Sequence, residues 1–177
     1  MYIWVAIDVN GQMPELREIA EHYVKGLGMS SPTLTLPFHI SLKISFNIPN
    51  DRINEVVGDI IELCRSLTRF SISVKEIEQN GSIVWITMQE NDELSYIHNK
   101  LDEMLLKKHG VVQHIFDKAF IYHTSLLIMD DENQARQAFD TLKNIPIPKT
   151  LIANKIIIGS SIDGAPGTYS VNEEIDI

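Results

Sequence analysis

The sequence predicts an α+β fold of two similar lobes, a pseudo-twofold repeat of antiparallel sheets with flanking helices around a central cleft. Two observations predict it. The order strand, helix, strand, helix, strand runs from about residue 2 to 78 and again from about 83 to 158, with a closing strand over about 168–176. The middle strands of the two runs also carry nearly the same residues. Phe38-His39-Ile40-Ser41-Leu42-Lys43-Ile44 registers on Tyr122-His123-Thr124-Ser125-Leu126-Leu127-Ile128, matching histidine, serine, leucine and isoleucine after an aromatic residue. The first strands lie about as far apart as the histidines do, which a chance motif match would not produce. All 177 residues are read as one bilobal domain.

The elements follow in order. Tyr2 to Val9 is a short apolar run, Asn10-Gly11 a turn, and Pro14 stands where the first turn of a helix tolerates it. Leu16, Ile19, Ala20, Tyr23, Val24 and Leu27 recur at helical spacing until Gly28. A loop over 29–37 leads to a strand from His39 to Phe46. Ile53, Val56, Val57, Ile60, Ile61, Cys64 and Leu67 form the clearest helical stripe. Strands over 70–78 and 83–88 flank an Asn80-Gly81 pair suited to a hairpin. Asn91 caps a third helix with Leu94, Ile97, Leu101, Met104 and Leu105 on one face, which ends before Gly110. A strand over 122–129 precedes a fourth helix capped by Asp130-Asp131, and strands over 151–158 and 169–175 flank the Gly164-Ala165-Pro166-Gly167 turn.

With 44% hydrophobic residues the chain can bury a real core. No apolar run approaches the ~20 residues of a membrane span, and Met1 opens directly into strand-like sequence. The chain therefore reads as soluble and cytoplasmic, with no membrane partner. A net charge of −9 opposes non-specific binding of long nucleic acid, whose affinity comes from successive Lys and Arg contacts to phosphate. The single cysteine, Cys64, falls on a helix face as a buried thiol. The run Lys107-Lys108-His109 complements a helix dipole.

Side chains alternate along a strand, so His39, Ser41 and Lys43 are expected on one face, opposite Ile40, Leu42 and Ile44. His123 and Ser125 are expected to share a face opposite Thr124, Leu126 and Ile128. Across a pseudo-twofold axis these faces bring two imidazoles and two hydroxyls together. That set suits phosphodiester chemistry, which needs a base for the attacking oxygen, an acid for the leaving oxygen and donors to the phosphoryl charge. Histidine near its ordinary pKa of about 6.5 serves either proton role. His39 and His123 are the candidate catalytic residues, Ser41 and Ser125 the candidate substrate-binding residues, and no metal or cofactor is required. Lys43 reads as a phosphate contact or, equally, as a solvated strand lysine. His22, His98, His109 and His114 lack repeat partners and are expected at the surface. Tyr2, Trp4 and Trp85 could stack a base, although core packing explains each more economically.

The paired motifs His39-Ile40-Ser41-Leu42 and His123-Thr124-Ser125-Leu126 resemble those of the 2H phosphoesterase superfamily, which includes 2′-5′ RNA ligase-like proteins and cyclic nucleotide phosphodiesterases. The resemblance extends to the element order of nearly the whole chain. It implies a metal-independent active site acting on 2′,3′-cyclic phosphates or 2′-5′ phosphodiester bonds, with a nucleotide or short RNA end as substrate. For a cyclic phosphate, His123 is assigned as the base that activates water and His39 as the acid that protonates the leaving 3′ oxygen. The family analogy then gives a 2′-phosphate product. Ligation is the reverse of related chemistry, and the residues do not choose a direction. Two other readings stand beside this one. The same cleft could hold a phosphorylated nucleotide without turnover, or Asp130 or Asp131 could join His123 on a metal.

Overall fold

The structure, a computed structural model, describes residues 1–177 apart from the side chain of Ala119. Eight strands form two antiparallel sheets. The first contains β1 (Tyr2–Asp8), β2 (His39–Asn47), β7 (Lys155–Ser161) and β8 (Ser170–Asp176) in the order β2-β1-β7-β8. The second contains β3 (Phe70–Asn80), β4 (Ile83–Met88), β5 (His123–Ile128) and β6 (Thr150–Ala153) in the order β5-β4-β3-β6. Under a pseudo-twofold, β1 corresponds to β4, β2 to β5, β7 to β3 and β8 to β6. The predicted α+β, two-lobed fold is the observed one.

The lobes differ from a simple split of the sequence, because each sheet takes strands from both runs. β3 leaves the first run to pair with β4, and β7 leaves the second to pair with β1. The single strand expected over 151–158 is consequently two strands, broken at Asn154. Residues 150–153 pair with β3 in one sheet, whereas residues 155–161 pair with β1 in the other, and one straight ladder cannot serve both. The turn of the β3–β4 hairpin is also shifted. Asn80 pairs with Ile83, leaving Gly81-Ser82 as the loop, with Gly81 at φ 57° as the first central residue of a two-residue turn requires.

The helices are α1 (Pro14–Gly26), α2 (Ile53–Arg65), α3 (Asp92–His109) and α4 (Glu132–Leu142). Their ends have the chemistry the sequence suggested. Asn91 Oδ1 accepts the Leu94 N–H at 2.9 Å, Asp131 Oδ1 accepts the Gln134 N–H at 2.9 Å, and Gly110 closes α3 at φ 68°. Leu16, Ile60, Leu101 and Ala138, one from each helix, join a continuous core with Ile3, Val5 and Ile7 of β1 and Val84 and Ile86 of β4. Cys64 lies fully inside it, and burial pushes its thiol pKa up to about 12. Among the described residues no helix is long and apolar enough to cross a membrane.

Two of the histidines expected at the surface are buried. His98 and His109 fall on the same helical stripe as Leu94, Leu101 and Leu105, so the packing that buries those leucines buries them too. His109 accepts from Arg52 Nη2 at 2.9 Å and donates through Nε2 to Asp59 Oδ2 at 2.8 Å. Both ring nitrogens of His98 face carbonyl oxygens, of Leu42 at 2.7 Å and of Asp117 at 3.2 Å. His22 and His114 are exposed as expected.

Lys43 departs most from its predicted place. It is 1% exposed, and its ammonium lies 2.7 Å from Asp102 Oδ1 and also bonds Asp117 Oδ2. The reason is a bulge. Ala6 pairs with Ser41 but the next residue of β1, Val5, pairs with Lys43, so Leu42 is the extra residue and the strand rotates by one face. Leu42 and Lys43 both become buried, and Ile44 turns outward to the cleft. The same irregularity follows Ser125, where Trp85 pairs with Ser125 and Val84 with Leu127. His98, Asp102 and Asp117 have the composition of a metal site, but the Lys43 ammonium already lies between the two carboxylates.

Removing one partner of a buried ion pair leaves uncompensated charge. Lys43→Met is therefore expected to destabilise the protein by about 3–5 kcal/mol in urea unfolding. A loss below about 1 kcal/mol, the range of an exposed pair, would contradict the burial of this cluster.

Candidate active site

Edge strands β2 and β5 of the two sheets approach each other, and the predicted residues sit at this junction. His39 and Ser41 face one cavity of about 210 Å³ with Trp4, Leu36 and Tyr169. His123 faces a second, of about 400 Å³, with Trp85, Phe116, Phe120 and Ile121. Ser41 and Ile44 line both cavities, so the two are halves of one cleft. Ser125 alternates with the buried Thr124 and Leu126 and thus shares the face of His123, but it borders neither cavity. Asp131 is occupied as a helix cap, which argues against its joining His123 on a metal.

The two histidines are held identically. His39 Nδ1 donates to the Pro37 carbonyl at 2.8 Å, and His123 Nδ1 donates to the Ile121 carbonyl at 2.7 Å. A carbonyl can only accept, so each neutral ring carries its proton on Nδ1 and keeps Nε2 free. Each ring also packs on a tryptophan, Trp4 against His39 at 4.6 Å and Trp85 against His123 at 4.2 Å between centroids. The two indoles reach the rings from different ladder positions, because Trp85 pairs with Ser125 whereas Ser41 pairs with Ala6, two residues beyond Trp4. Neither indole N–H has a partner among the described residues, so the rings are placed for their faces.

This packing sets the electrostatics. Burial is the largest influence on His39 and lowers its pKa below the usual 6.5; the Pro37 carbonyl opposes this, the nearby His123 charge reinforces it, and Asp8 opposes it. Burial likewise lowers the pKa of His123, against its bond to the Ile121 carbonyl. The symmetry breaks across the ladders. Asp8 pairs with His39, whereas Thr87 pairs with His123. A carboxylate favours the imidazolium, so Asp8 offsets part of the burial effect at His39, and no carboxylate pairs with His123.

Sequence reasoning missed the residues around the pair. Trp4 and Trp85, which the sequence offered as base stackers or core residues, are largely buried and back the imidazoles. Tyr169, hydrogen-bonded to Ser45 at 2.6 Å, closes the smaller cavity from the approach to β8. Phe116 and Phe120 come from the segment after α3, which Asp117 pins to the buried Lys43. No local pattern predicts these long-range contacts.

The chain is thus an α+β protein with a histidine pair in a cleft between two pseudo-equivalent sheets. Solved structures share this architecture over the full chain. E. coli LigT complexed with 3′-AMP superposes with a TM-score of 0.61 at 18% identity, covering 99% of this chain and 97% of that one. TT0787 of Thermus thermophilus gives 0.64 at 14%, covering 99% and 97%. Usb1 of Kluyveromyces marxianus gives 0.59 at 12%, covering 99% and 98%. By sequence, no family model and no curated protein matches the chain. At these identities the likeness establishes the fold.

The Trp4 indole lies directly on Gly159 of β7, where a Cβ would come within 2.3 Å of Nε1 and 2.6 Å of the Ser170 carbonyl oxygen. Gly159→Ala is expected to displace Trp4 and the ring it supports. Activity and Trp4 packing, read by near-ultraviolet circular dichroism, should fall together. An Ala variant with wild-type activity would separate the indole from the function of His39.

Proposed function

We propose that this protein is a phosphoesterase of the 2H superfamily that hydrolyses 2′,3′-cyclic phosphate or 2′-5′ phosphodiester bonds of nucleotides or RNA ends by two-histidine acid–base catalysis. One observation carries the reading. Two repeat-equivalent imidazoles on one cleft are each bonded through Nδ1 to the carbonyl two residues earlier, leaving both Nε2 atoms for proton transfer. Support comes also from the fold shared with LigT, solved with 3′-AMP and with phosphate, and with a protein described as a phosphoesterase.

For a cyclic phosphate, His123 Nε2 takes a proton from water as its oxygen bonds phosphorus. The bond from phosphorus to the 3′ oxygen breaks, and His39 gives its Nε2 proton to that oxygen. A 2′-phosphate results, and one proton passes from His123 back to His39 to close the cycle. Asp8 beside His39 favours the imidazolium that this role needs. Ser41, which lines both halves of the cleft, donates to the non-bridging oxygens, where the developing charge lies.

His39→Ala and His123→Ala should each lower kcat by about 10²- to 10⁴-fold with the fold retained. A substrate whose leaving group needs no proton should rescue His39→Ala alone. Rescue of His123→Ala instead would reverse the roles, and full activity in either variant with ordinary substrate would refute the mechanism.

The pKa directions add a pH test. A lowered base stays neutral to lower pH, and a lowered acid holds its proton only at lower pH. The bell-shaped kcat/KM profile should therefore peak on the acid side of about 6.5, with limbs belonging to the coupled pair. A bound phosphate anion favours protonation, so the kcat profile should lie to the alkaline side of it. A kcat/KM maximum above about pH 8 would contradict both the burial and the mechanism.

A further inference from the structure

Among the described residues, neither cavity of the cleft is lined by a lysine or an arginine. The cations of neighbouring segments are engaged elsewhere. Lys43 follows Ser41 in β2 but is turned inward to Asp102 and Asp117. Arg17 reaches the loop before β2, where its guanidinium donates to the Leu34 carbonyl at 2.7 Å, the Leu36 carbonyl at 2.8 Å and Asn10 Oδ1 at 3.0 Å. The histidines are thus the only groups lining the cleft that can become cationic, and the charge of each opposes that of the other. Around them the walls are apolar and aromatic on both sides: Trp4, Leu36 and Tyr169 in the smaller cavity, Trp85, Phe116 and Phe120 in the larger. A net charge of −9 adds a repulsive field for any anion.

These features are complementary to one negative charge flanked by uncharged rings. A phosphate diester carries one charge, whereas a terminal phosphate adds about −1.5 to −2 near pH 7. Each extra charge brought against apolar and aromatic walls without a cation loses hydration that no protein charge there offsets. Resting on the acid–base reading above, we infer that the cleft selects singly charged phosphodiesters, cyclic or internal, and discriminates against substrates that also bear a terminal phosphate or a polyphosphate. Hydrolysis at such a site creates a doubly charged product that the cleft holds poorly, which favours release over religation. Ile44 lines both cavities, so one of the side chains shared by the two halves of the cleft is apolar.

The chain has two tryptophans, and both back the histidines, so intrinsic fluorescence reports occupancy independently of turnover. Adenylyl-2′,5′-adenosine, the same compound with a 5′-phosphate, and ATP are mixed with the wild-type protein, and the fluorescence change is read before product forms. The unphosphorylated diester should bind at least tenfold more tightly than its 5′-phosphorylated form, about 1.4 kcal/mol, and ATP should bind more weakly still. Ile44→Lys should shift the preference at least tenfold toward the phosphorylated compound. Lys118→Ala, at an exposed lysine between Phe116 and Phe120, should leave the preference unchanged. Equal or tighter binding of the phosphorylated compound or of ATP, a shift with Lys118→Ala, or no fluorescence response to any of the three would overturn the inference. Intact selectivity without turnover would overturn the acid–base reading and leave this inference standing.

Discussion

The extra residue at Leu42 places most of what surrounds the cleft. A regular strand would alternate from Ser41 to Lys43 on one face and present an ammonium group to the cleft. The bulge rotates the strand after Ser41, so Lys43 enters the core and Ile44 takes the position at the cleft. The inward lysine then meets Asp117 and so anchors the segment that carries Phe116 and Phe120. One local irregularity thereby removes a cation from the site and supplies its aromatic wall.

Packing each imidazole against a tryptophan has a second consequence. The indole excludes water from one ring face, and the loss of hydration disfavours the charged form of both histidines. The backbone carbonyls at Pro37 and Ile121 hold each ring in one tautomer, so orientation and protonation are set by different contacts. The cross-strand neighbours differ, Asp8 for His39 and Thr87 for His123, so the two rings do not have identical surroundings.

The exchange of β3 and β7 between sheets explains why the cleft is a fixed feature. Each lobe needs a strand from the other run to complete its sheet, and a single apolar core runs beneath both. The edge strands β2 and β5 each pair with a strand of their own run, β1 and β4, and contact one another across the junction, so the histidines they carry belong to one packed unit.

Periodicity and a repeated motif are local properties, and what depends on them was legible in the amino-acid sequence. The α+β class, the four helices with caps at Asn91 and Asp131, and the placing of His39, Ser41 and His123 on a common cleft all follow from residue spacing. The exchanged strands, the break at Asn154, the burial of Lys43 with Asp102 and Asp117, and the aromatic wall were decided by tertiary structure. A bulge adds one residue without leaving a mark in the pattern of apolar positions, and an ion pair between residues 43 and 117 depends on which segments the fold brings together. Sequence spacing determines which face a side chain prefers; only the packed ladders determine which face it receives.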